Sequence, residues 1–433
     1  MVLIYAKATS PRLQYIASFI FKDILQVAYA ITTHEEGFKG FDGIRLNYSH
    51  QSITDKEICI PDSGLLFETD IQPRDLNISE YNGERILFAS STSDDHYPHD
   101  IFSACFYLIS RYEEYLTYEK DKYGRYPVTN SVAFKEGFIN KPQVQIWIRQ
   151  FADFLKKYDN RFEPAYTDFS FKPTYNIDVA YSFKNKGIIR NAAGAVRSLF
   201  TFKIGEFVNR MRVMAFQEKD PSDNYEWLHK LHTLKSLSPV YFFLPAQMNS
   251  LSDRNILSSE KAMAHLIQIH ASKYNIGLNL SWRSNEDPSL LKTEKDLLEK
   301  IAGTNIFRSR QHYLKISLPY TYRNLIDAGI KEDYTMGYGH TNGFRASLAC
   351  SFLWYDLLKD EQTKLKVFPF CYMDSTVIFG QKLTPEQGLK EINYYYNICK
   401  EYNGTFIPVF HNHFLGDDMA GWKKMYEQFI QDL

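Results

Sequence analysis

The chain predicts an α/β fold whose larger, C-terminal part is a parallel sheet or (β/α) barrel, and three observations predict it. Beyond Tyr166, strand and helix patterns alternate at the spacing of repeated β-then-α units. Polar and ionisable residues fall at the ends of the predicted strands, where parallel α/β folds gather functional groups. The length of 433 residues exceeds what one hydrophobic core serves. The expected division is therefore a mixed α/β accessory domain at 1–165 and a barrel domain at 166–433.

At the start, residues 2–6 are apolar and read as a short buried strand. Ser10-Pro11 then opens a helix in which Leu13, Ile16, Ala17, Ile20 and Ile24 keep helical spacing. Further strands are expected at 44–48, 57–60 and 86–89, with Gly, Asp and Pro between them. A long helix is expected over 100–118, with Ile101, Ala104, Cys105, Leu108, Ile109, Tyr112 and Leu116 on one face. Its charged residues Arg111, Glu113 and Glu114 read as a solvated or domain-bridging ion-pair cluster rather than a site. Another helix covers 144–158, and the polar stretch 159–168 breaks the periodicity and marks the boundary. Past it, strands are expected at 240–244, 276–280, 314–316, 367–370 and 405–410, with helices at 259–274 and 385–402.

Charge and cysteine content narrow the function. Lys+Arg 50 against Asp+Glu 51 leaves a net charge of -1, so no basic field is expected that would draw nucleic acid or anionic lipid. Five scattered cysteines without a CxxC pair fit neither a disulfide framework nor a thiolate zinc site, and point to a reducing cytoplasm. The first residues lack a cationic leader, and the apolar stretch 16–21 is cut by Lys22 and Asp23, so no membrane span is expected. The 31 tyrosines and 32 phenylalanines suit dense cores and also platforms for sugar rings.

Five segments carry polar groups at predicted strand ends: PTYNIDVAYS, GLNLSWRSN, GYGHTNGFRAS, FPFCYMDST and IPVFHNHFLGD. Asn176 and Asp178 alternate around Ile177 and so point to one side of a strand, where Asp178 can ligate a divalent metal and Asn176 can only hydrogen-bond. An Asx turn ending the strand is the plainer alternative. His411 and His413 are a second i, i+2 pair, suited to metal ligation or to proton transfer; ordinary exposed loop histidines are the alternative. Arg345 and Asp374 can form an orienting charge pair or a structural bridge. His312 precedes a predicted strand and fits a core or cap role better than a site. Ser281, Ser284 and Tyr338 belong to the same strand-end segments and, with His312, are the candidates for substrate contact.

On these residues the chain resembles the polysaccharide deacetylase (NodB-homology) family from about Lys172 to the C-terminus, in its two-domain form with an N-terminal accessory domain. The order of blocks carries the resemblance: an Asp-bearing strand end, a GLxxS loop, a GFRA arginine, an MDST aspartate and a histidine after the last strand. The resemblance implies a seven-stranded (β/α) barrel that removes N- or O-acetyl groups from a glycan, with zinc or another divalent metal. By position, Asp178 matches the metal aspartate, Asn279 the first metal histidine, Asn176 the base, His411 or His413 the acid, and Arg345 and Asp374 the orienting groups. Asn176 and Asn279 depart from the pattern, and Arg283 stands where a second metal histidine is expected. Two other readings follow: a non-catalytic binder of glycan or protein, and a different metal-dependent hydrolase built on His411 and His413.

Overall fold

The computed structural model describes residues 1–90, 96–215, 217–245, 255–257 and 260–433. The N-terminal strand Val2–Ala6 pairs in parallel with Tyr29–Thr32 on one side and Ile44–Tyr48 on the other, and Ile58–Cys59 extends the sheet. All five residues of the first strand are buried, which its unbroken apolar run requires of a strand covered on both faces. Ser10 caps the helix Pro11–Ala17 by accepting the Leu13 N–H, with Pro11 at the first helical position where its missing donor costs nothing.

The expected helix over 100–118 is shorter. It runs over Ile101–Ile109, capped by Asp100, and stops because Arg111 takes a left-handed backbone with φ 57. A single-turn helix, Tyr112–Tyr115, follows. The break brings Glu113 and Glu114 back onto the Arg111 guanidinium, which a continuous helix would hold on the same face only through Glu114.

Downstream, one sheet of nine strands forms in the order Phe352–Asp356, Glu361–Val367, Glu332–Asp333, Arg308–Gln311, Asn275–Leu280, Val240–Phe243, Thr174–Ile177, Pro408–His411, Tyr372–Met373. Every neighbouring pair is parallel except the hairpin of Phe352–Asp356 with Glu361–Val367. The parallel α/β arrangement is as expected, but the closed seven-stranded barrel is corrected: among the described residues no ladder joins Tyr372–Met373 to Phe352–Asp356. One face nonetheless folds onto itself. Val240 and Phe242 from mid-sheet, Phe368 and Phe370 beyond one side, and Met373 and Val409 from the other share one buried cluster.

Two expected strands move. Residues 314–316 are not a strand; Arg308–Gln311 is, and a turn at His312–Leu314 with Tyr313 at φ 59 follows it. The strand expected at 367–370 lies earlier, at Glu361–Val367, where the polar residues 361–364 masked it. The helix expected at 259–274 is Lys261–Lys273, and residue 259 lies outside the described residues. The helices Ile188–Phe200 and Ile204–Met214 were not expected.

Candidate active site

Because neighbouring strands run in parallel, their C-terminal ends share one edge of the sheet. His411 is the register partner of Asn176, and Asn279 that of Arg310. From this edge Asn176, Asp178, His312, His411 and His413 line one cleft of about 570 Å³. The opposite wall comes from the N-terminal half: Tyr123 and Arg125 lie on a turn held by Asp121, whose carboxylate accepts the Tyr123 and Arg125 backbone N–H groups. Arg125 also reaches the Tyr313 carbonyl at 3.1 Å and His340 Nε2 at 2.7 Å.

At the centre is His411. Its Nδ1 lies 2.6 Å from Asp374 Oδ1, while its backbone N–H donates to Asp374 Oδ2 at 2.5 Å, so both carboxylate oxygens fix the ring. On the far side, His411 Nε2 lies 3.4 Å from Asp178 Oδ2, and His312 Nε2 lies 3.5 Å from the same oxygen. Asp374 is almost fully buried and Asp178 nearly so. Burial alone would strip the proton from His411, yet the Asp374 charge and hydrogen bond, with Asp178 behind, raise its pKa above the ordinary value. Burial would likewise raise the Asp178 carboxyl, but His312, His411 and His413 outweigh it and hold that group well below the usual carboxylate range. His413 differs: burial, with His411 beside it, pushes its pKa down to about 3, so this ring is neutral. Its Nδ1 meets no hydrogen-bond partner among the described residues.

Asn176 and Asn279 are tied into the same array. Asn279 Nδ2 donates to Asp178 Oδ1 at 2.5 Å. Asn176 Oδ1 accepts from Arg310 at 3.0 Å, and its Nδ2 faces His411 Nε2 at 3.4 Å. Arg310 was not anticipated. It is wholly buried on the inner face of the sheet, donates to Thr174 and to the Tyr334 carbonyl, and lies over the Phe242 ring at 4.4 Å. Burial lowers its pKa to about 9. The signal was an arginine inside the short strand RSRQ, where a charged residue on the buried face needs a dedicated set of acceptors.

The structure separates other expected residues from the cleft. Arg345 does not pair with Asp374. It makes a two-pronged bridge to Glu114, at 2.8 and 2.6 Å, and Glu114 also accepts from Arg111 at 2.8 Å. This cluster is buried rather than solvated, and it bridges the N-terminal half to the loop of the large sheet. Tyr338 packs beside it, with the Arg345 guanidinium 5.8 Å from its ring. Ser281 and Ser284 are buried in the turn after the Asn275–Leu280 strand, where the Ser284 hydroxyl donates to the Ser281 carbonyl and the Ser281 hydroxyl accepts the Ser284 N–H.

The donor set does not fit the metal site that the resemblance implies. At position 279 an amide N–H points at Asp178 where an imidazole nitrogen should face a cation, and position 283 is arginine. His411 commits Nδ1 to Asp374, and the His411 and His413 rings stand 5.7 Å apart and tilted by 69°. Among the described residues no three His, Cys, Asp or Glu side chains are grouped to hold an ion.

Residues 2–160 match a family profile described as "Family of unknown function (DUF7033)". No match is found among curated proteins. Solved structures show a distant likeness. An allantoinase, Puue, has a TM-score of 0.40 at 9% identity, covering 61% of this chain and 83% of its own. A probable polysaccharide deacetylase from Pseudomonas aeruginosa PAO1 has a TM-score of 0.38 at 11% identity, covering 61% and 84%. A polysaccharide deacetylase from Bacillus cereus has a TM-score of 0.32 at 8% identity, covering 61% and 87%.

Proposed function

We propose that the cleft is a hydrolytic site that removes acetyl groups from an N- or O-acetylated glycan. One observation carries the reading: His411 is clamped by Asp374 on one nitrogen and presents the other, beside Asp178, to an open cleft. A ring so held keeps one tautomer and orientation, as a proton-transfer group must.

Two imidazoles share the Asp178 carboxylate, and each disfavours protonation of the other. His411 has Asp374 as a second counter-charge and serves as the acid, which leaves His312 as the base. His312 takes a proton from water as the water oxygen bonds to the acetyl carbonyl carbon. His411 delivers the Nε2 proton to the departing sugar nitrogen or oxygen as the acyl bond breaks, and acetate leaves. Asp178 stays ionised throughout and stabilises the imidazolium on either side. Tyr123, Tyr313, Phe379 and Phe414 supply aromatic faces around the centre, suited to the apolar face of a sugar ring. No step is assigned to a metal ion. The same reading keeps 1–165 as an accessory domain beside a catalytic domain at 166–433, and a cytoplasmic location.

Acetate release from acetylated chitooligosaccharides, peptidoglycan fragments and acetylated xylan tests it. The protein should release acetate from at least one of these, and His411→Asn should cut the rate about 10²- to 10⁴-fold with little change in KM. Absence of release from all three would contradict the reading. It would favour instead a glycan-binding module, which the amides at Asn176 and Asn279 also suit, since both are locked by Arg310 and Asp178.

A further inference from the structure

Near-neutral overall charge conceals a local concentration. From Lys184 to Met214 the sequence holds seven lysines and arginines against one acidic residue, Glu206. This stretch is the helical hairpin Ile188–Phe200 and Ile204–Met214, and its packing is inverted relative to an ordinary amphipathic pair. The inner contact is small and polar. Arg210 is buried against Asn191, donating to its side-chain oxygen at 3.2 Å, and a Cβ at Gly194 would meet the Arg210 guanidinium at 2.5 Å.

The apolar side chains point outward. Phe200 and Phe202 at the connecting turn are 81% and 88% exposed, Leu199 and Ile204 beside them are exposed, and so are Ile188 and Met211 farther along the two helices. A cluster of large apolar groups turned to water is unfavourable unless something covers it. Arg197 and Lys203 flank the same turn and are exposed. Together these are the features of a segment lying in a membrane interface: apolar groups at the tip, cations beside them, and little acidic charge.

We infer that this hairpin docks on the surface of a bilayer rich in anionic lipid, with Phe200, Phe202 and Ile204 entering the interface and Arg197 and Lys203 meeting the headgroups. A second copy of the chain fits less well, because a two-fold contact through this patch would set two hairpins of like charge against each other. The docking is peripheral: among the described residues no helix is long and apolar enough to cross a membrane. It also has a consequence for the cleft. A second hollow, between Lys186, Glu206 and Arg210 of the hairpin and its surroundings, shares Phe379, His413 and Phe414 with the site cleft. The inner side of the hairpin, behind the docking tip, therefore adjoins the site.

Flotation of the full chain with vesicles tests the inference independently of any hydrolytic activity. The protein should float with vesicles of mixed phosphatidylglycerol and phosphatidylcholine, at least about tenfold more than with phosphatidylcholine alone, and less as salt rises. Phe200→Ser with Phe202→Ser should abolish flotation at unchanged thermal midpoint, since both side chains face water. Arg197→Glu with Lys203→Glu should do the same through charge alone, and keeps the test valid if the first pair disturbs the fold. Acetate release from a soluble substrate should be unaltered by either pair. No flotation on anionic vesicles would overturn the inference. So would equal flotation of wild type and both variants, or a concentration-dependent dimer that the phenylalanine pair abolishes.

Discussion

The pKa of His411 is raised because two carboxylates, Asp374 and Asp178, face it and outweigh burial and the neighbouring His312. That pKa lies above the unfolded value of about 6.5, so its contribution to stability is complete below that value and is lost as pH rises through the folded pKa. The same titration governs the proposed acid. The rate should fall on the alkaline side as His411 loses its proton, with no acidic limb from Asp178, which stays ionised. A pH–rate profile checks this; a rate that rises steadily with alkalinity would remove His411 from the acid's role. Much of this was legible in the residues themselves. The i, i+2 spacing of Asn176 with Asp178 and of His411 with His413 placed all four at one sheet edge. It did not show that the pKa of His413 is pushed down while that of His411 is raised, since that depends on which of the two meets Asp374, thirty-seven positions earlier.

At the scale of elements, what the pattern missed follows from long-range pairing. The apolar stripe over 100–118 continued past Arg111, yet the helix ends there and Glu114 turns inward to pair with both Arg111 and Arg345. Nothing local in the SRYEEYL segment announces a partner more than two hundred residues away. Burial would raise the Glu114 carboxyl, but Arg345 and Arg111 bring it down to about 2, so the cluster is charged at neutral pH. Glu114→Gln would leave two buried guanidinium groups facing a neutral amide. It should lower unfolding free energy by about 3–5 kcal/mol, measured by denaturant titration; a loss below about 1 kcal/mol would show that water reaches the cluster. The strand Glu361–Val367 was obscured for a related reason: its first four residues are polar, and its strand character comes from pairing with the largely apolar Phe352–Asp356.

At the scale of the whole molecule, the buried His99, His232 and His270 and the half-buried His413 are neutral. Burial pushes His99, His232 and His413 down to about 3 and His270 to about 4. On unfolding each regains an ordinary pKa of about 6.5 and takes up a proton, so stability falls as pH drops below that value. Each contributes a slope of about 1.4 kcal/mol per pH unit until its folded pKa is reached. Unfolding free energies at pH 7 and pH 5 should differ by several kcal/mol, and a flat profile would mean that water reaches these rings in the folded state. The parallel order of the large sheet was likewise legible from the alternating patterns. That no closing ladder forms among the described residues was not, because closure depends on how the two edge strands meet rather than on any one strand's composition.

The pH–rate profile of Asp374→Asn for acetate release bears most directly on the proposed centre. With the counter-charge on Nδ1 removed, His411 should give up its proton more readily. The alkaline limb should then move to lower pH by about one unit or more, with kcat reduced and KM nearly unchanged. An alkaline limb that stays where the wild type has it would show that His411, held by Asp374, is not the group that delivers the proton.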